Sequence, residues 1–462
     1  MKQEYLIISD LVDEKKDIIL NAYEYIWTHP EIGYKEWKTS EYLEKAFTEL
    51  GYNVRTTRGI PGFIAELDSG RAGPKVAVMG ELDALRCENH PSADPETHAV
   101  HACCHCIQTS AMLGAAAVLK EEMLLQKLSG SVRFIAVPAE ETIDLEYRNN
   151  LIKKGIIKYV AGKIEFLYRG LFDGVDMAIM FHADSSPDKL FKIIDGCDGC
   201  ITKHIEYYGV AAHAGGAPEN GINALYAANI GINACNALRE TFKERDFIRY
   251  HPIIISGGKA ANVIPDLVKM DTYVRAATMN KMLEVNVKIN RALAASAAAM
   301  GAKVTIKDEH GNLPFHSDKI MNRMCADIMC DMFGDDVIEY IDWDTQSSDI
   351  GDLSSVIPVI QPLCCGATGN QHGEDYYIAD KEKCLINPTK VISALVYDLL
   401  KDDAKEAVRV KESYRPLYKS KEDYFRTIDA IEFESELVQY NDDRTITLNF
   451  HNPSFHGKDK IN

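Results

Sequence analysis

Hydrophobic residues recur at two different spacings along the first 195 residues of the chain. The segment DLVDEKKDIILNAYEYIWTHP repeats apolar positions at helical spacing and stops at His29 and Pro30. Three short runs, at residues 75–80, 131–137 and 176–181, are apolar almost throughout, which is typical of strands buried on both faces. Such strands alternating with helices predict an α/β fold, a mostly parallel sheet with helices on both faces.

From about residue 200 the pattern changes. The sequence predicts a strand in CITKHIEYYG, a helix in GINALYAANIGINACNAL, strands in HPIIIS and DLVKMDTYVRA, a helix in NKMLEVNVKINRALAASAAAMG and a strand in KVTIKDE. The order β-α-β-β-α-β is that of a ferredoxin-like domain. We therefore predict an α/β domain over residues 1–195 and 315–405, an inserted domain over 196–314, and a peripheral, charge-rich extension over 406–462.

The composition excludes several classes of partner. A net charge of −18 argues against nucleic acid or an anionic membrane as the main partner. No apolar run is long enough for a signal peptide or a membrane span. Twelve cysteines without an export signal favour reduced thiols. We expect a soluble cytoplasmic protein.

Side chains of the types that bind metal ions follow four of the predicted strands. They are Glu81 and Asp83, Glu140 and Glu141, His182, and, after a glycine-rich loop, His372. The stretch HAVHACCHC adds Cys103, His105 and Cys106 just before a long helix, where the helix dipole favours a thiolate. Because ligands gather at the carboxyl ends of parallel strands, we expect these groups to meet at one edge of the sheet.

The neighbouring residues Glu140 and Glu141 are suited to two different roles. In an extended backbone, adjacent side chains point to opposite sides. One carboxylate can then bind a metal ion while the other acts as general base for a metal-activated water. This pattern is typical of a metal-dependent hydrolase.

At these residues the chain resembles the M20 metallopeptidases, specifically the amidohydrolase branch with aminoacylase-like, hippurate and aminobenzoyl-glutamate hydrolases. The matching pieces are HPEIGYKE, GELDAL, HACCHC, VPAEE, MFHADSS, GVAAHAGGAPENGINAL, GGKAANVIPD and GATGNQHGEDY, which occur in family order. The resemblance implies a zinc-peptidase-like catalytic domain interrupted by a ferredoxin-like lid. It also implies a homodimer formed through the lid.

The resemblance further implies a pair of divalent metal ions, zinc or manganese. The implied ligands are Cys103, His105, Glu141, His182 and His372, with Cys103 bridging the two ions. Glu140 would be the general base, and Asp83 would orient a ligand. In the lid, His213 would stabilise the oxyanion, and Asn262 and Arg275 would contact the substrate.

Four positions depart from the family pattern. Cys104 and Cys106 stand where the family usually has Gly and Asp, Arg86 replaces a Pro, and Thr142 replaces a Gly. The change at Cys106 matters most, because a second thiolate beside His105 could recruit a different metal or impair turnover.

The expected reaction is hydrolysis of the amide bond of N-acyl or N-aminobenzoyl amino acids or small dipeptides. Two alternatives stay open, namely a dipeptidase or aminopeptidase that needs a free amine, and a catalytically inactive metal-binding relative. A structural alternative also exists, since Cys103 and Cys106 could share a zinc ion with Cys197 and Cys200.

Overall fold

A computed structural model describes residues 1–186 and 188–450 of the chain. The helices are α1 (Gln3–Glu14), α2 (Lys16–Thr28), α3 (Trp37–Glu49), α4 (Cys106–Leu119), α5 (Glu122–Leu125), α6 (Leu145–Lys153), α7 (Gly162–Tyr168), α8 (Ala224–Ala237), α9 (Met279–Ala299), α10 (Lys319–Phe333), α11 (Ile350–Ser354), α12 (Asn387–Ser413) and α13 (Lys421–Asp429).

The strands longer than two residues, together with two short strands that complete the main sheets, are numbered in chain order. They are β1 (Val54–Thr56), β2 (Phe63–Asp68), β3 (Lys75–Glu81), β4 (Ser131–Val137), β5 (Met177–Ile179), β6 (His182–Asp184), β7 (Phe191–Ile194), β8 (Gly199–Tyr208), β9 (Arg249–Tyr250), β10 (Ile253–Ser256), β11 (Leu267–Ala276), β12 (Lys303–Asn312), β13 (Ile338–Ile341), β14 (Val359–Ile360), β15 (Leu363–Cys365), β16 (Phe433–Glu436), β17 (Val438–Tyr440) and β18 (Ile446–Leu448).

The chain divides into two compact units. The core unit comprises Met1–Gly196, His316–Trp343 and Asp352–Pro416. Among the described residues, the inserted unit comprises Cys197–Phe315, Asp344–Gly351 and residues 417–450.

The main sheet of the core unit has the strand order β1-β2-β4-β3-β5-β14. Strands β4, β3, β5 and β14 are parallel, whereas β1 and β2 are antiparallel additions at one edge. Every residue of α4 is buried, and the backbone of Thr109 lies so close to Gly80 that a Cβ there would be 2.8 Å away. The predicted α/β fold with a mostly parallel sheet is therefore confirmed.

A smaller sheet of the core unit, with the order β13-β7-β15-β6, carries part of the metal-ligand set. The sequence predicts a single strand over residues 176–181, but β5 ends at Ile179 and the chain starts β6 at His182. His182 thus lies on a strand paired with β15. The apolar run alone does not reveal this change of sheet, because both strands are buried.

The inserted unit contains the predicted β-α-β-β-α-β order, formed by β8, α8, β10, β11, α9 and β12. Its antiparallel sheet has the order β9-β11-β8-β12-β16, and β10 also pairs with β11. The strand order of β10, β11, β8 and β12 is ferredoxin-like.

The sequence predicts a peripheral extension over 406–462, of which residues 451–462 lie outside the described part of the chain. Helix α12 continues to Ser413 after a left-handed turn at Asp402, Asp403 and Ala404. Strand β16 then pairs with β12 and extends the inserted sheet. The reason is that β12 is otherwise an edge strand with unpaired backbone groups, which a further strand satisfies.

Candidate metal centre

Four connections of the core unit bring the candidate ligands together. Cys103 and His105 precede α4, Glu141 follows β4, His182 begins β6, and His372 lies in the loop after β15. One ligand atom from each of Cys103, His105 and His182 lies within 4.8 Å of the others, and the same holds for Cys103, Glu141 and His372. We call these the first and second ligand groups, and Cys103 belongs to both.

The orientation of His105 follows from Asp83. His105 Nδ1 lies 3.0 Å from the Asp83 carbonyl oxygen and 3.2 Å from its Oδ1. Both of these oxygens are acceptors, so Nδ1 carries a proton and Nε2 is the ring nitrogen turned away from Asp83. Burial alone would raise the pKa of the Asp83 carboxyl. The hydrogen bonds from His105 and the Glu141 backbone, together with the charges of His105 and Arg148, outweigh burial, so this pKa lies below its ordinary value.

His182 is oriented in the same way. Its Nδ1 lies 2.9 Å from the Ala183 carbonyl oxygen, and its Nε2 lies 3.4 Å from Cys103 Sγ. The rings of His182 and His105 meet edge to face, with 5.6 Å between their centroids. His182 thus turns its Nε2 toward the Cys103 thiol, which also hydrogen-bonds His105.

The Cys103 thiol lies in a setting that favours its ionised form. Burial opposes ionisation, but His105 and His182 outweigh it and hold the pKa of this thiol well below its usual range. The Gln371 side-chain amide donates a hydrogen bond of 3.2 Å to Cys103 Sγ. A thiolate is the form in which cysteine binds metal ions.

The second ligand group is held by contacts between distant loops. Glu141 Oε1 lies 3.2 Å from His372 Nε2, and the Glu141 backbone N–H donates to Asp83 Oδ2 at 2.8 Å. The His372 backbone N–H donates to the Ala102 carbonyl oxygen at 2.9 Å. The glycine-rich loop is thereby tied to the loop that carries Cys103.

These residues fit a pair of divalent cations. His105 Nε2 and Glu141 Oε1 are buried, and within the part of the chain that the structure describes each has a polar neighbour at 3.2 Å, Glu81 Oε2 and His372 Nε2 respectively, but neither contact has good hydrogen-bond geometry. Thiolate, imidazole and carboxylate together form a donor set that suits zinc and neighbouring divalent metals. His105 Nε2 and Glu141 Oε1 belong to different ligand groups, as two cations sharing Cys103 would require.

A third cluster adjoins the first ligand group and includes residues that the sequence analysis does not select. Glu81, His105 and Glu140 also place ligand atoms within 4.8 Å of one another. Glu81 forms a fully buried ion pair with Lys163 and accepts a hydrogen bond of 2.7 Å from the Gln108 amide. The position of Glu81 at the end of β3 is visible in the sequence, whereas nothing in the sequence around Lys163 indicates this contact.

The extra cysteines of HACCHC lie apart from both ligand groups. Cys106 is the first residue of α4 and is fully buried, and burial raises the pKa of its thiol far above the ordinary value. Over residues 1–186 and 188–450, no group of candidate ligands includes Cys106, Cys197 or Cys200. Cys104 adopts a left-handed backbone with φ of 60°, a conformation that favours the glycine of the family pattern.

The three remaining predicted site residues all lie in the inserted unit. His213 forms a backbone bridge with Val263, and the N–H of Ala214 donates to the Asn262 carbonyl oxygen at 2.9 Å, so His213 and Asn262 are neighbours. His213 Nδ1 accepts hydrogen bonds from two glycine N–H groups. Arg275 lies on β11, over the ring of Tyr273.

The chain thus combines an α/β unit that carries a cluster of candidate metal ligands with a unit of ferredoxin-like strand order. Comparison with known proteins shows which proteins it resembles. Residues 197–301 match the M20 peptidase dimerisation domain. The chain is 27% identical to a p-aminobenzoyl-glutamate hydrolase chain of Escherichia coli over 66% of its own length and 60% of that protein, thus less than two thirds of it.

Two other relatives are matched over more of their length. N-acetyl-L-cysteine deacetylase of Bacillus subtilis is 26% identical over 67% of this chain and 71% of its own. Xaa-Arg dipeptidase of Mus musculus is 27% identical over 80% of this chain and 81% of its own.

Solved structures show the same fold. A putative aminohydrolase from methicillin-resistant Staphylococcus aureus superposes with a TM-score of 0.72 at 22% identity, over 86% of this chain and all of that one. A dinuclear metal-binding M20 peptidase from Bacillus subtilis gives 0.65 at 21% identity, over 83% and 97%. The inserted unit thus matches a domain of M20 peptidases, and the chain is similar in sequence to hydrolases and in fold to solved M20 structures.

Proposed function

We propose that this chain is a two-metal amidohydrolase that cleaves the amide bond of an N-acyl or N-aminobenzoyl amino acid or of a small dipeptide. The observation that carries the proposal is that Cys103 belongs to two separate buried groups of candidate metal ligands. Two cations, zinc or manganese, would be held by Cys103, His105 and His182 on one side and by Cys103, Glu141 and His372 on the other. When bound, such ions lower the pKa of water and polarise a carbonyl.

Glu140 is the proposed general base. Its Oε2 lies 4.0 Å from His105 Nε2, and its side chain is 15% exposed, so the carboxylate reaches the ligand cluster and stays open to a substrate. Glu140 would take a proton from the attacking water and then deliver it to the leaving amine. Asp83 would serve as the orienting residue, because it accepts hydrogen bonds from both His105 and the backbone of Glu141.

The inserted unit would supply substrate-binding groups. Because His213 Nδ1 accepts two backbone hydrogen bonds, the proton of the neutral ring lies on Nε2. That N–H is suited to donate to a developing oxyanion. Asn262, next to His213, and Arg275 are proposed to contact the substrate, whose α-carboxylate would pair with the arginine.

The names of the relatives support this class of substrate. p-Aminobenzoyl-glutamate, N-acetyl-L-cysteine and an Xaa-Arg dipeptide each place an amide bond next to an amino acid. The Xaa-Arg relative, which is matched over most of its length, favours a dipeptidase as the second candidate. Assaying each dipeptide with a free and with an acetylated amine separates the two candidates, because a dipeptidase needs the free amine.

The inserted unit also supports a homodimer. Its match to a dimerisation domain includes α8 and β10. The apolar side chains Ile253, Ile255 and Tyr226 of these elements are 48%, 55% and 61% exposed. An edge strand with apolar side chains can pair with its own copy about a two-fold axis.

We also propose a cytoplasmic location. All twelve cysteines are free thiols, as expected in a reducing compartment. Within the described part of the chain, no helix has both the length and the apolar character that a membrane span requires.

The decisive variant for the mechanism is Glu140→Gln. Removing the general base should lower kcat by at least about 100-fold, while the metal content stays at two ions per chain, because Glu140 is in neither ligand group. Activity is measured on a panel of N-acyl amino acids and dipeptides, and metal by elemental analysis. The matched control is Glu146→Gln, which removes an exposed carboxylate from the nearby α6 and should leave both quantities unchanged.

Near-normal turnover of Glu140→Gln would contradict the assignment of the base. Failure of the metal-loaded wild-type protein to hydrolyse any member of the panel would instead favour a non-catalytic, metal-binding relative.

A further inference from the structure

The connection between β4 and the two neighbouring glutamates has an unusual backbone. Ala139 is fully buried and has φ of 59°. A residue with a Cβ seldom adopts this left-handed conformation, and it persists only where the surroundings hold it. The direction in which Glu140 and Glu141 leave the sheet is set at this residue.

One side of this backbone is held by Glu36. The Ala139 N–H donates to Glu36 Oε1 at 2.7 Å, although the two residues are 103 positions apart. Glu36 is fully buried and directly precedes α3, yet its side chain makes no capping hydrogen bond to that helix. The carboxyl group instead accepts a hydrogen bond from the loop after β4.

The other side is held by Arg148. This arginine of α6 is fully buried. Its guanidinium donates to the carbonyl oxygens of Ala139 (3.4 Å) and Glu141, and to Val160 (2.8 Å), which belongs to a separate segment. A planar guanidinium can hold several carbonyls at once in a fixed geometry. The loop is therefore fixed at both its first and its last residue.

Gly33 provides the space for this arrangement. A Cβ at Gly33 would lie 2.4 Å from Arg148 Nη2 and 2.9 Å from the Ala139 Cα. Both distances are shorter than real contacts allow, so a side chain at this position would push the guanidinium or the loop. The motif HPEIGYKE thus contributes two features to the loop, the small residue Gly33 and the acceptor Glu36.

We propose that Glu36 and Arg148 are positioning residues that hold the left-handed turn at Ala139 and thereby aim Glu141 at the second ligand group. This inference rests on the proposed function, because it assigns the loop to a metal centre. In the structure both residues bond the 139–141 loop, whereas His105 and His182 are oriented by Asp83 and Ala183. Loosening the loop should therefore affect one ligand group and spare the other.

The test is a titration of the metal-free full-length protein with Co²⁺, followed by the thiolate-to-cobalt absorption band and by calorimetry. For Arg148→Met we expect the affinity for the ion of the second ligand group to fall by about 10–100-fold, as for other residues that orient a metal ligand. The ion of the first ligand group should bind as in the wild type. Gly33→Ala should give the same pattern, because it displaces the same guanidinium.

Two further variants separate positioning from general stability. Glu36→Gln keeps an oxygen that can accept from the Ala139 N–H and should bind both ions normally, whereas Glu36→Leu should lose affinity for one ion. Arg133→Met is the matched control, since Arg133 is a buried arginine of β4 that also bonds backbone carbonyls, those of Leu171 and Asp173. It should leave both affinities unchanged.

The outcomes discriminate between the inference and the function beneath it. Normal binding of both ions by folded Arg148→Met and Glu36→Leu would overturn the positioning role alone. An equal loss at both sites, or the same loss in Arg133→Met, would show a merely structural role and overturn it as well. A wild-type protein that takes up fewer than two Co²⁺ ions would overturn the two-metal centre, and the inference with it.

Discussion

At the scale of single residues, the cysteines of HACCHC differ in whether they can bind a metal ion. Its three cysteines differ in their surroundings, although they lie within four positions. Cys103 faces two imidazoles and belongs to both ligand groups, whereas Cys106 is enclosed in the first turn of α4 and belongs to neither. The departure from the family pattern at Cys106 therefore adds a buried apolar side chain next to the centre, and the structure gives it no ligand role.

This difference predicts opposite effects of two conservative changes. Cys103→Ser should abolish tight binding of both ions, because it removes the thiolate shared by the two groups, and the thiolate-to-cobalt band should disappear. Cys106→Ser should keep the band and the stoichiometry of two. The measurement is the same Co²⁺ titration, with metal content checked by elemental analysis. Loss of the band in Cys106→Ser would show that this thiol binds metal after all.

At the scale of elements, a histidine and two carboxylates connect three neighbouring strands of the inserted sheet. His204 of β8 contacts Asp271 of β11 through Nδ1 at 2.8 Å and Glu309 of β12 through Nε2 at 3.1 Å. The hydrogen bond to Glu309 is the main factor that raises the pKa of His204, to about 9. The protonated ring thus joins three strands in one register.

The stability of the inserted sheet should therefore depend on pH. Because the pKa of His204 is higher in the folded state than its ordinary value of about 6.5, its contribution is fully present below about pH 6.5 and is lost as the pH rises through about 9. His204→Gln should destabilise by roughly 0.2–1 kcal/mol at pH 6, since the cluster is partly exposed. It should have no effect near pH 10.

The measurement is the difference in melting temperature between His204→Gln and the wild type at several pH values. His251→Gln serves as control, because His251 lies exposed in the same unit and stacks on Tyr273. A difference that does not change with pH would contradict the role of the charged ring.

At the scale of the whole molecule, the two edges of the inserted sheet differ. The C-terminal segment covers one edge with β16, through backbone pairing with β12 and a salt bridge between Lys303 and Glu436. The other edge, formed by β9 and β10, has exposed isoleucines. A sheet that is closed on one side and open on the other can form a closed dimer, whereas two open edges would permit extended assembly.

We therefore expect the wild-type protein to sediment with twice the mass of one chain, and Ile255→Lys to shift it toward the monomer. The weakening should be at least about tenfold in Kd, because a two-fold interface contains the new charge twice. Analytical ultracentrifugation over a concentration series provides the measurement. Ile446→Lys is the matched control, as Ile446 is equally apolar and 47% exposed but lies on the C-terminal hairpin. A dimer that persists unchanged in Ile255→Lys would place the interface elsewhere.

Much of the fold and part of the site could be predicted from local patterns. The spacing of apolar residues gave the helices and the ferredoxin-like order, and Glu141, His182 and His372 were selected because they follow apolar strands. The contacts of Lys163, Gln108 and Arg148 could not be predicted. Lys163 is 82 positions from its partner Glu81, and no short-range pattern encodes a contact over that distance.

The sequence by itself determined the types of elements, their order and the supply of thiolate, imidazole and carboxylate groups, because hydrophobic periodicity and residue chemistry are local properties. Only the tertiary structure decided which cysteine is shared, which nitrogen of each histidine faces it, and that the C-terminal segment joins the inserted sheet. The physical reason is that these features depend on distances and hydrogen bonds between segments far apart in the chain. Such contacts form only when each unit folds.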